Sequence, residues 1–363
     1  MPDAVFQSDV SQSDISQRDR EKWARWRAVA NLYHAFFTGL ILTVVTRSGV
    51  ATAEEFVFRV FRRQQEERFV AGLAKLGLSG LPPAVAAAQY HYLSNWIGGV
   101  NVEYMAESDR KAWIRYPPPR WIWQGTAICG IPMEVSRAML RGWHANNGVA
   151  LGNLKLGFVC TKQTVDVQDG LEGFYYEHDR DLAVDERLVF ARHLDAPAFD
   201  PAHAPALPVA AWPRPRLEKA YRNYAQEYVR TAAPVLVQLL GPEDAGHLLH
   251  RTGKLIGMQF YPETAAAFAG ADAGPAQDFA AFLHAVLAAQ DDTATLAADS
   301  AGPVLTQNGW KLMTDVADYH PACALALSGL VEGLAAAASR NVRIEASVAD
   351  HAAGPFVWRV RAR

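Results

Sequence analysis

Motifs that would identify a reaction are absent from this chain of 363 residues. The sequence has no glycine-rich phosphate loop, no dinucleotide-binding fingerprint, no Gly-x-Ser-x-Gly and no His-Glu-x-x-His. These absences argue against nucleotide hydrolysis and against pyridine-nucleotide redox chemistry in the usual folds. We therefore predict that the protein uses no cofactor.

Cysteine and net charge are also scarce. The three cysteines, Cys129, Cys160 and Cys323, are too few and too scattered for a disulfide framework, which favours a reducing cytoplasm. The net charge is -3, and no basic stripe supports binding to nucleic acid or to an anionic membrane.

Long hydrophobic runs are missing too. Residues 1–20 have no apolar core after a basic start, so we expect no signal peptide. The most apolar run, residues 32–45, contains His34 and is shorter than the roughly 20 residues that a spanning helix needs. We predict a buried helix there and no membrane partner.

Composition and length suit a protein of two or three domains with a packed core, because half of the residues are apolar and a fifth are charged. Residues 190–216 are dense in proline and alanine and form the clearest linker. The predicted organisation has four parts: a disordered leader at 1–18, a first half at 19–189, the linker at 190–216 and a second half at 217–363.

The most informative feature that is present is a pattern that occurs twice. Around Gly142 and again around Gly329 the sequence predicts a helix, a tight turn, a strand, a glycine turn and a second strand. We therefore predict an α+β fold with two related halves, each with helices packed on a small antiparallel sheet, forming an internal pseudo-dimer. Residues 264–300 read as helical and 309–316 as a strand.

The two copies differ in polarity when Gly142 is aligned with Gly329. The apolar residues of the second helix are replaced in the first by Trp143, His144 and Asn147. A buried polar group without a partner costs about 1–3 kcal/mol, so such residues would need partners or a ligand. One interpretation is a polar pocket wall in the first half, with His144 as acid/base and with Arg137, Trp143, Asn146 and Asn147 holding the substrate. The alternative is a solvated helix face.

A proline run with arginine and aromatic neighbours is the second candidate for ligand contact. Tyr116, Arg120 and Trp123 flank this run and could clamp an anionic or planar ligand. The same segment could equally be a rigid connector whose aromatic side chains pack in the core.

Nucleophile and metal candidates complete the set. Cys160 alternates with apolar residues on a predicted strand, which favours a core position, and Cys129 precedes a helix start, where a thiolate is favoured. A metal site is an alternative with few observations behind it, since its four candidate ligands are only paired at helical spacing. They are His247, His250, His320 and Cys323.

Residues 216–363 resemble the family of vinyl-reductase-type small-molecule-binding domains and the related L-2-amino-thiazoline-4-carboxylate hydrolase-like proteins. The resemblance is carried by residues 239–245, 253–257, 323–333, 342–345 and 354–360. It implies helices on a small antiparallel sheet that enclose an apolar pocket for a small molecule. Cysteines that the family often has in the closing strands are replaced here by Val348 and Val357, which puts cysteine or metal chemistry at that place in doubt.

These observations favour a cofactor-independent hydrolase of a C–N or C–S bond in a small, anionic molecule. The alternatives are a non-catalytic binding protein with the same pocket and an accessory subunit of a larger enzyme. A small molecule is the expected partner, and a homo-oligomer stays open.

Overall fold

The computed structural model describes residues 16–208, 210–268 and 274–362. Its helices are α1 (Gln17–Ser48), α2 (Val50–Leu76), α3 (Pro83–Ile97), α4 (Met133–Gly142), α5 (Asn147–Ala150), α6 (Arg214–Leu240), α7 (Pro242–Ala265), α8 (Pro275–Ala289) and α9 (Ala324–Ala338). Its strands are β1 (Glu103–Ser108), β2 (Lys111–Tyr116), β3 (Leu156–Lys162), β4 (Leu171–Glu177), β5 (Leu188–Phe190), β6 (Ala294–Asp299), β7 (Gly302–Asn308), β8 (Val342–Ser347) and β9 (Pro355–Ala362). Helices combined with small sheets confirm the predicted α+β class.

The described chain divides into two compact units, and the division differs from the predicted halves. Among the described residues, the first unit holds 44–220, and the second holds 16–43 together with those from 221 onward. Most of α1 therefore packs with the second unit, although it precedes the first in sequence. The apolar pattern of α1 indicates that it is buried but carries no information about which helices cover it. The predicted leader lies outside the described residues, except at its end, where α1 begins at Gln17.

The two units share the spatial order of four strands, and the first unit adds a fifth strand. The first sheet is ordered β1-β2-β4-β3-β5, with β5 parallel to β3 and the other neighbours antiparallel. The second sheet is ordered β6-β7-β9-β8 and is antiparallel throughout. In each unit a hairpin precedes a helix and two more strands follow it. This shared topology supports the predicted duplication, while the packing of the units as a pseudo-dimer stays a prediction.

Two predicted elements of the second half are wrong. The segment predicted as helix up to residue 300 contains β6, and the strand predicted at 309–316 lies earlier, as β7. Residues 311–313 form a single 3₁₀ turn instead. Three of the six residues of β6 are alanine, and Thr295 is its one residue of the β-branched and aromatic types that normally identify a strand. Its partner β7 begins at Gly302, whose φ of 135° suits the hairpin turn.

The predicted linker is partly structured. Its first residue, Phe190, ends β5, and α6 begins before its end. Between these points Leu194, Ala196 and Phe199 pack against the face of the first sheet that carries Trp113. Residues 194–199 therefore cover one face of the sheet, which leaves the other face to the helices.

Glycine sets the distance between the paired helices in both units. A Cβ atom on Gly142 in α4 would lie 2.8 Å from the carbonyl oxygen of Phe58 in α2. A Cβ atom on Gly329 in α9 would lie 2.1 Å from the carbonyl oxygen of His250 in α7. Both approaches are closer than any other residue allows, so the structure itself aligns Gly142 with Gly329, as the sequence predicts.

Two helical segments are long and apolar enough to span a membrane, judged by length and composition alone. They are Gln17–Ser48 and Pro321–Ala338, and 78% and 67% of their most apolar windows are buried inside the structure. A core helix of a globular protein passes the same test, so these segments do not decide where the protein resides.

Candidate functional site

His144 is placed by the abrupt end of α4. The guanidinium of Arg62 in α2 donates hydrogen bonds to the carbonyl oxygens of Gly142 (3.0 Å) and Arg141 (3.1 Å). These bonds satisfy carbonyls that the helix leaves unpaired at its end. The chain then turns through a short 3₁₀ segment, His144–Asn146, into α5. This turn directs His144 and Asn147 inward, where both are buried, so the alternative of a solvated helix face is wrong.

The inward side chains form a continuous hydrogen-bonded group. The amide nitrogen of Asn147 lies 2.8 Å from the Tyr175 hydroxyl and 3.1 Å from Nε2 of His91. The same hydroxyl lies 2.7 Å from Nδ1 of His144. We call this group the polar cluster, and its members are Gln65, His91, His144, Asn146, Asn147 and Tyr175.

Gln65 anchors the cluster to α2. Its amide nitrogen lies 3.2 Å from Oδ1 of Asn147 and 3.4 Å from the backbone oxygen of Asn146. The side-chain amide of Asn146 donates in return to Oε1 of Gln65 at 2.7 Å. These hydrogen bonds connect α2 to the turn after α4 and to the start of α5.

Aromatic rings surround the two histidines. The rings of His91 and His144 stack with their centroids 4.2 Å apart and an angle of 13° between their planes. Phe158 from β3 lies 4.5 Å from the His144 ring, and Trp143 lies 6.0 Å from the His91 ring, centroid to centroid. Tyr175 reaches the cluster from β4, next to Phe158. The site thus lies between helices α2, α3 and α4 and the inner face of the sheet.

Burial keeps the titratable members uncharged. It lowers the pKa of His91 to about 3. Burial, followed by the charges of His91 and Arg120, lowers the pKa of His144 well below its usual value. Burial also raises the pKa of Tyr175 well above its usual value. At neutral pH the cluster is therefore a neutral hydrogen-bonding surface.

The corresponding positions in the second unit are apolar. With Gly142 on Gly329, His144 and Asn147 match Val331 and Leu334. His91 matches Leu283, since each is at the same distance from the proline that starts its helix, and Tyr175 matches Val360, since each pairs with the third residue of the neighbouring strand. Gln65 and Asn146 match Gly257 and Gly333, which pack in close backbone contact. The fold therefore does not need the polar side chains.

The proline-run residues adjoin the cluster. Tyr116 is buried, and its hydroxyl lies 3.4 Å from Nδ1 of His91. The guanidinium of Arg120 is buried 5.1 Å from the centroid of the Tyr116 ring. Trp123 is also buried. The segment packs in the core, as the connector interpretation predicts, and it also brings a positive charge near His144. Its contact with a ligand stays a prediction.

The structure does not bring the cysteines or Arg137 into the cluster. The buried thiol of Cys160 donates to the backbone oxygen of Lys162 at 3.4 Å, and burial raises its pKa to about 12. Cys129 is exposed in a 3₁₀ segment, Gly125–Gly130. Arg137 stacks over the ring of Phe190 at 4.9 Å. A buried thiol of this kind stays protonated at neutral pH and is a poor nucleophile.

The four metal candidates differ in their contacts and in their exposure to solvent. His250 pairs with Glu332 at 3.1 Å, and Nδ1 of His320 accepts the backbone N–H of Ala322. His247 is exposed, whereas Cys323 is fully buried. Across 16–208, 210–268 and 274–362, no three His, Cys, Asp or Glu side chains are grouped so that they could hold a metal ion.

The sequence analysis missed His91, Tyr175 and Gln65. The signal for them is the one that identified His144: each is polar where the second copy has a small or apolar residue. Comparison of the chain with models of protein families, with curated proteins and with solved structures finds no match. The resemblance to small-molecule-binding domains therefore stays a prediction, and the candidate site is defined by its own geometry.

Proposed function

We propose that the first unit binds a small molecule against the polar cluster. The observation that carries this proposal is the difference between the two units, since four buried polar positions of the first are leucine or valine in the second. Hydrogen-bonded polar pairs in a core contribute little more stability than apolar side chains of the same shape. Ligand recognition gives these polar side chains a role that packing does not.

Binding without covalent chemistry fits the site better than acid–base catalysis does. A general base works best with a pKa near the operating pH, and burial moves His144 far below that range. The Cys160 thiol is protonated and bonded to its own strand. A neutral imidazole and a neutral hydroxyl serve well as fixed hydrogen-bonding groups.

Hydrolysis of a C–N or C–S bond is the second candidate function for the same site. It is favoured by Arg120, whose charge acts on His144 and could stabilise a developing oxyanion. In this case His144 would polarise the substrate as a neutral donor, and water would be the nucleophile.

The variant that tests the proposal takes its substitutions from the matching positions of the second unit. A cluster-apolar variant carries four substitutions: His91→Leu, His144→Val, Asn147→Leu and Tyr175→Val. Small molecules extracted from natively purified protein are identified by mass spectrometry, and circular dichroism reports folding. We expect a molecule that accompanies the wild type and is lost from the folded variant. Equal occupancy in both proteins, or none in the wild type, would contradict binding at the cluster.

Hydrolysis is separated from binding by following the extracted molecule after it is returned to the protein. Product that forms in a single turnover with the wild type, and not with the cluster-apolar variant, would favour the hydrolase. An unchanged molecule that is bound and released intact would favour the binding protein.

A further inference from the structure

We infer that the ligand of this site is a small carboxylate, held by two N–H donors, because the chain Gln65–Asn147–Tyr175 fixes the proton of His144 on Nε2. This inference rests on the proposed function and adds to it the chemical class of the ligand. It follows from the direction of each hydrogen bond along the chain.

The direction is set at a backbone carbonyl, which can only accept. The side-chain amide of Gln65 lies 3.4 Å from the backbone oxygen of Asn146, so its nitrogen must face that oxygen. The same nitrogen then faces the side chain of Asn147 at 3.2 Å, which must present its oxygen there. The NH₂ group of Asn147 consequently points to the other side, toward His91 and Tyr175.

The hydroxyl of Tyr175 extends this assignment of donors and acceptors to His144. It accepts one N–H from Asn147 at 2.8 Å, and within the described residues Nδ1 of His144, at 2.7 Å, is the acceptor that its own buried hydrogen can reach. Donation from His144 instead would leave that hydrogen buried without a partner, which is unfavourable. A neutral imidazole carries one N–H, and an Nδ1 that accepts leaves the proton on Nε2. By the same logic Nε2 of His91 accepts from Asn147 at 3.1 Å, so its proton is on Nδ1. The stacked histidines are therefore opposite tautomers.

Two N–H donors are left over. Within the described part of the chain, the hydrogen bond of His144 is made through Nδ1, which leaves its Nε2 available, and the indole nitrogen of Trp143 is buried without a partner. Both rings pack against His91. The buried indole N–H of Trp143 costs about 1–3 kcal/mol while it has no partner, and an acceptor on a ligand would recover this cost.

The charge near these donors selects the acceptor. Arg120 is buried with its guanidinium 5.1 Å from the centroid of the Tyr116 ring, and the hydroxyl of that ring lies 3.4 Å from Nδ1 of His91. This position agrees with the effect of its positive charge, which lowers the pKa of His144. An ammonium ligand would meet two N–H donors and a cation, whereas a carboxylate offers two acceptor oxygens and the opposite charge. The arrangement is therefore selective against amines as well as favourable to carboxylates.

The tautomers are tested without any ligand, by ¹⁵N–¹³C correlation NMR of the histidines in the intact protein at neutral pH. We expect His144 as the Nε2–H form and His91 as the Nδ1–H form. Tyr175→Phe should populate the other tautomer of His144. Tyr176→Phe, whose neighbouring hydroxyl makes no hydrogen bond within the described residues, should change nothing. An Nδ1–H or doubly protonated His144 in the wild type would overturn the inference.

The ligand class is tested with acetate, benzoate and indole-3-acetate as probes, and with benzylamine and tryptamine as matched cations. We expect at least one carboxylate to raise the melting temperature and shift the ¹⁵N resonance of His144. We expect neither amine to do so, and His144→Val should abolish the carboxylate effect. An effect of the amines, or none of the carboxylates, would refute the ligand class. The extraction experiment decides the proposed function separately, since it detects a bound molecule of any charge.

Discussion

Acid is expected to destabilise the first unit through His91, and replacing this histidine should remove much of the effect. The imidazole is buried against the rings of His144 and Tyr175 in the folded protein, where its neutral form is favoured. In the unfolded chain it is solvated and takes up a proton near its ordinary pKa. The test substitution is His91→Leu, because the second unit carries Leu283 at the matching position.

The size of the effect follows from the difference between the two pKa values of His91. Folding lowers its pKa from 6.5 to about 3, so below pH 6.5 the unfolded chain binds a proton that the folded chain does not. Stability therefore falls as the pH drops from 6.5 toward 3. At 1.36 kcal/mol per pKa unit, the loss is about 2 kcal/mol between pH 7.5 and pH 5, and about 4 kcal/mol at pH 3. His144 acts in the same direction.

Hydrogen exchange measures this loss separately in each unit. Amides of β4 report the first unit and amides of β9 report the second, at pH 7.5 and pH 5 after correction for intrinsic exchange. His91→Leu should reduce the pH-dependent loss of protection in β4 by roughly 30-fold, which corresponds to about 2 kcal/mol. Protection of β9 should respond to pH as in the wild type.

Exposed His247 supplies the matched control, and His247→Leu should leave the β4 response unchanged. The comparison uses the pH dependence alone, so any pH-independent change in stability caused by the leucine cancels. If wild type and His91→Leu lose the same protection between pH 7.5 and pH 5, the imidazole is not held neutral. The account of the cluster as a neutral surface would then be wrong.

Three further predictions concern stability. Burial raises the pKa of Asp292 to about 6, so the folded protein keeps a proton that the unfolded chain releases. Hydrogen exchange of β9 amides should show that Asp292→Asn removes about 2 kcal/mol of stability that this carboxyl contributes to the second unit at pH 4 relative to pH 7. Gly329→Ala should lower the melting temperature and cost about 1–3 kcal/mol or more, because its Cβ would lie 2.1 Å from the His250 carbonyl oxygen. Tyr175→Phe should cost about 2–5 kcal/mol in urea unfolding, because two buried partners lose their bonds, whereas Tyr176→Phe should stay within about 0.5 kcal/mol.

The sequence predicts the repeated unit well because helix and strand signals are local. The helix and the two strands that the sequence predicts around Gly142, and again around Gly329, all form where their patterns indicate. The placement of α1 in the second unit is not local, since it depends on which apolar faces meet. The strands of alanine-rich sequence, such as β6, carry no clear periodic signal.

The candidate site was predicted in part, because one helix was compared between the copies and the others were not. His144 and Asn147 are buried and bonded as the polar-wall interpretation requires. His91 and Tyr175 come from α3 and β4, whose partners in the second copy can be matched only once the strand register is known. Arg137 was assigned to the site by helical spacing, but the turn after Gly142 rotates the following residues away from it.

The two units together form a natural comparison that separates fold from function. The second unit shows that leucine and valine fill the same positions, and apolar replacement of a complete hydrogen-bonded group is often nearly neutral. Stability alone therefore gives no reason for the cluster. Its bonds instead do something that leucine cannot do, since they fix the tautomer of His144 and hold an N–H donor in place. A donor fixed in advance loses little entropy when an acceptor binds, which is the advantage of a preorganised site.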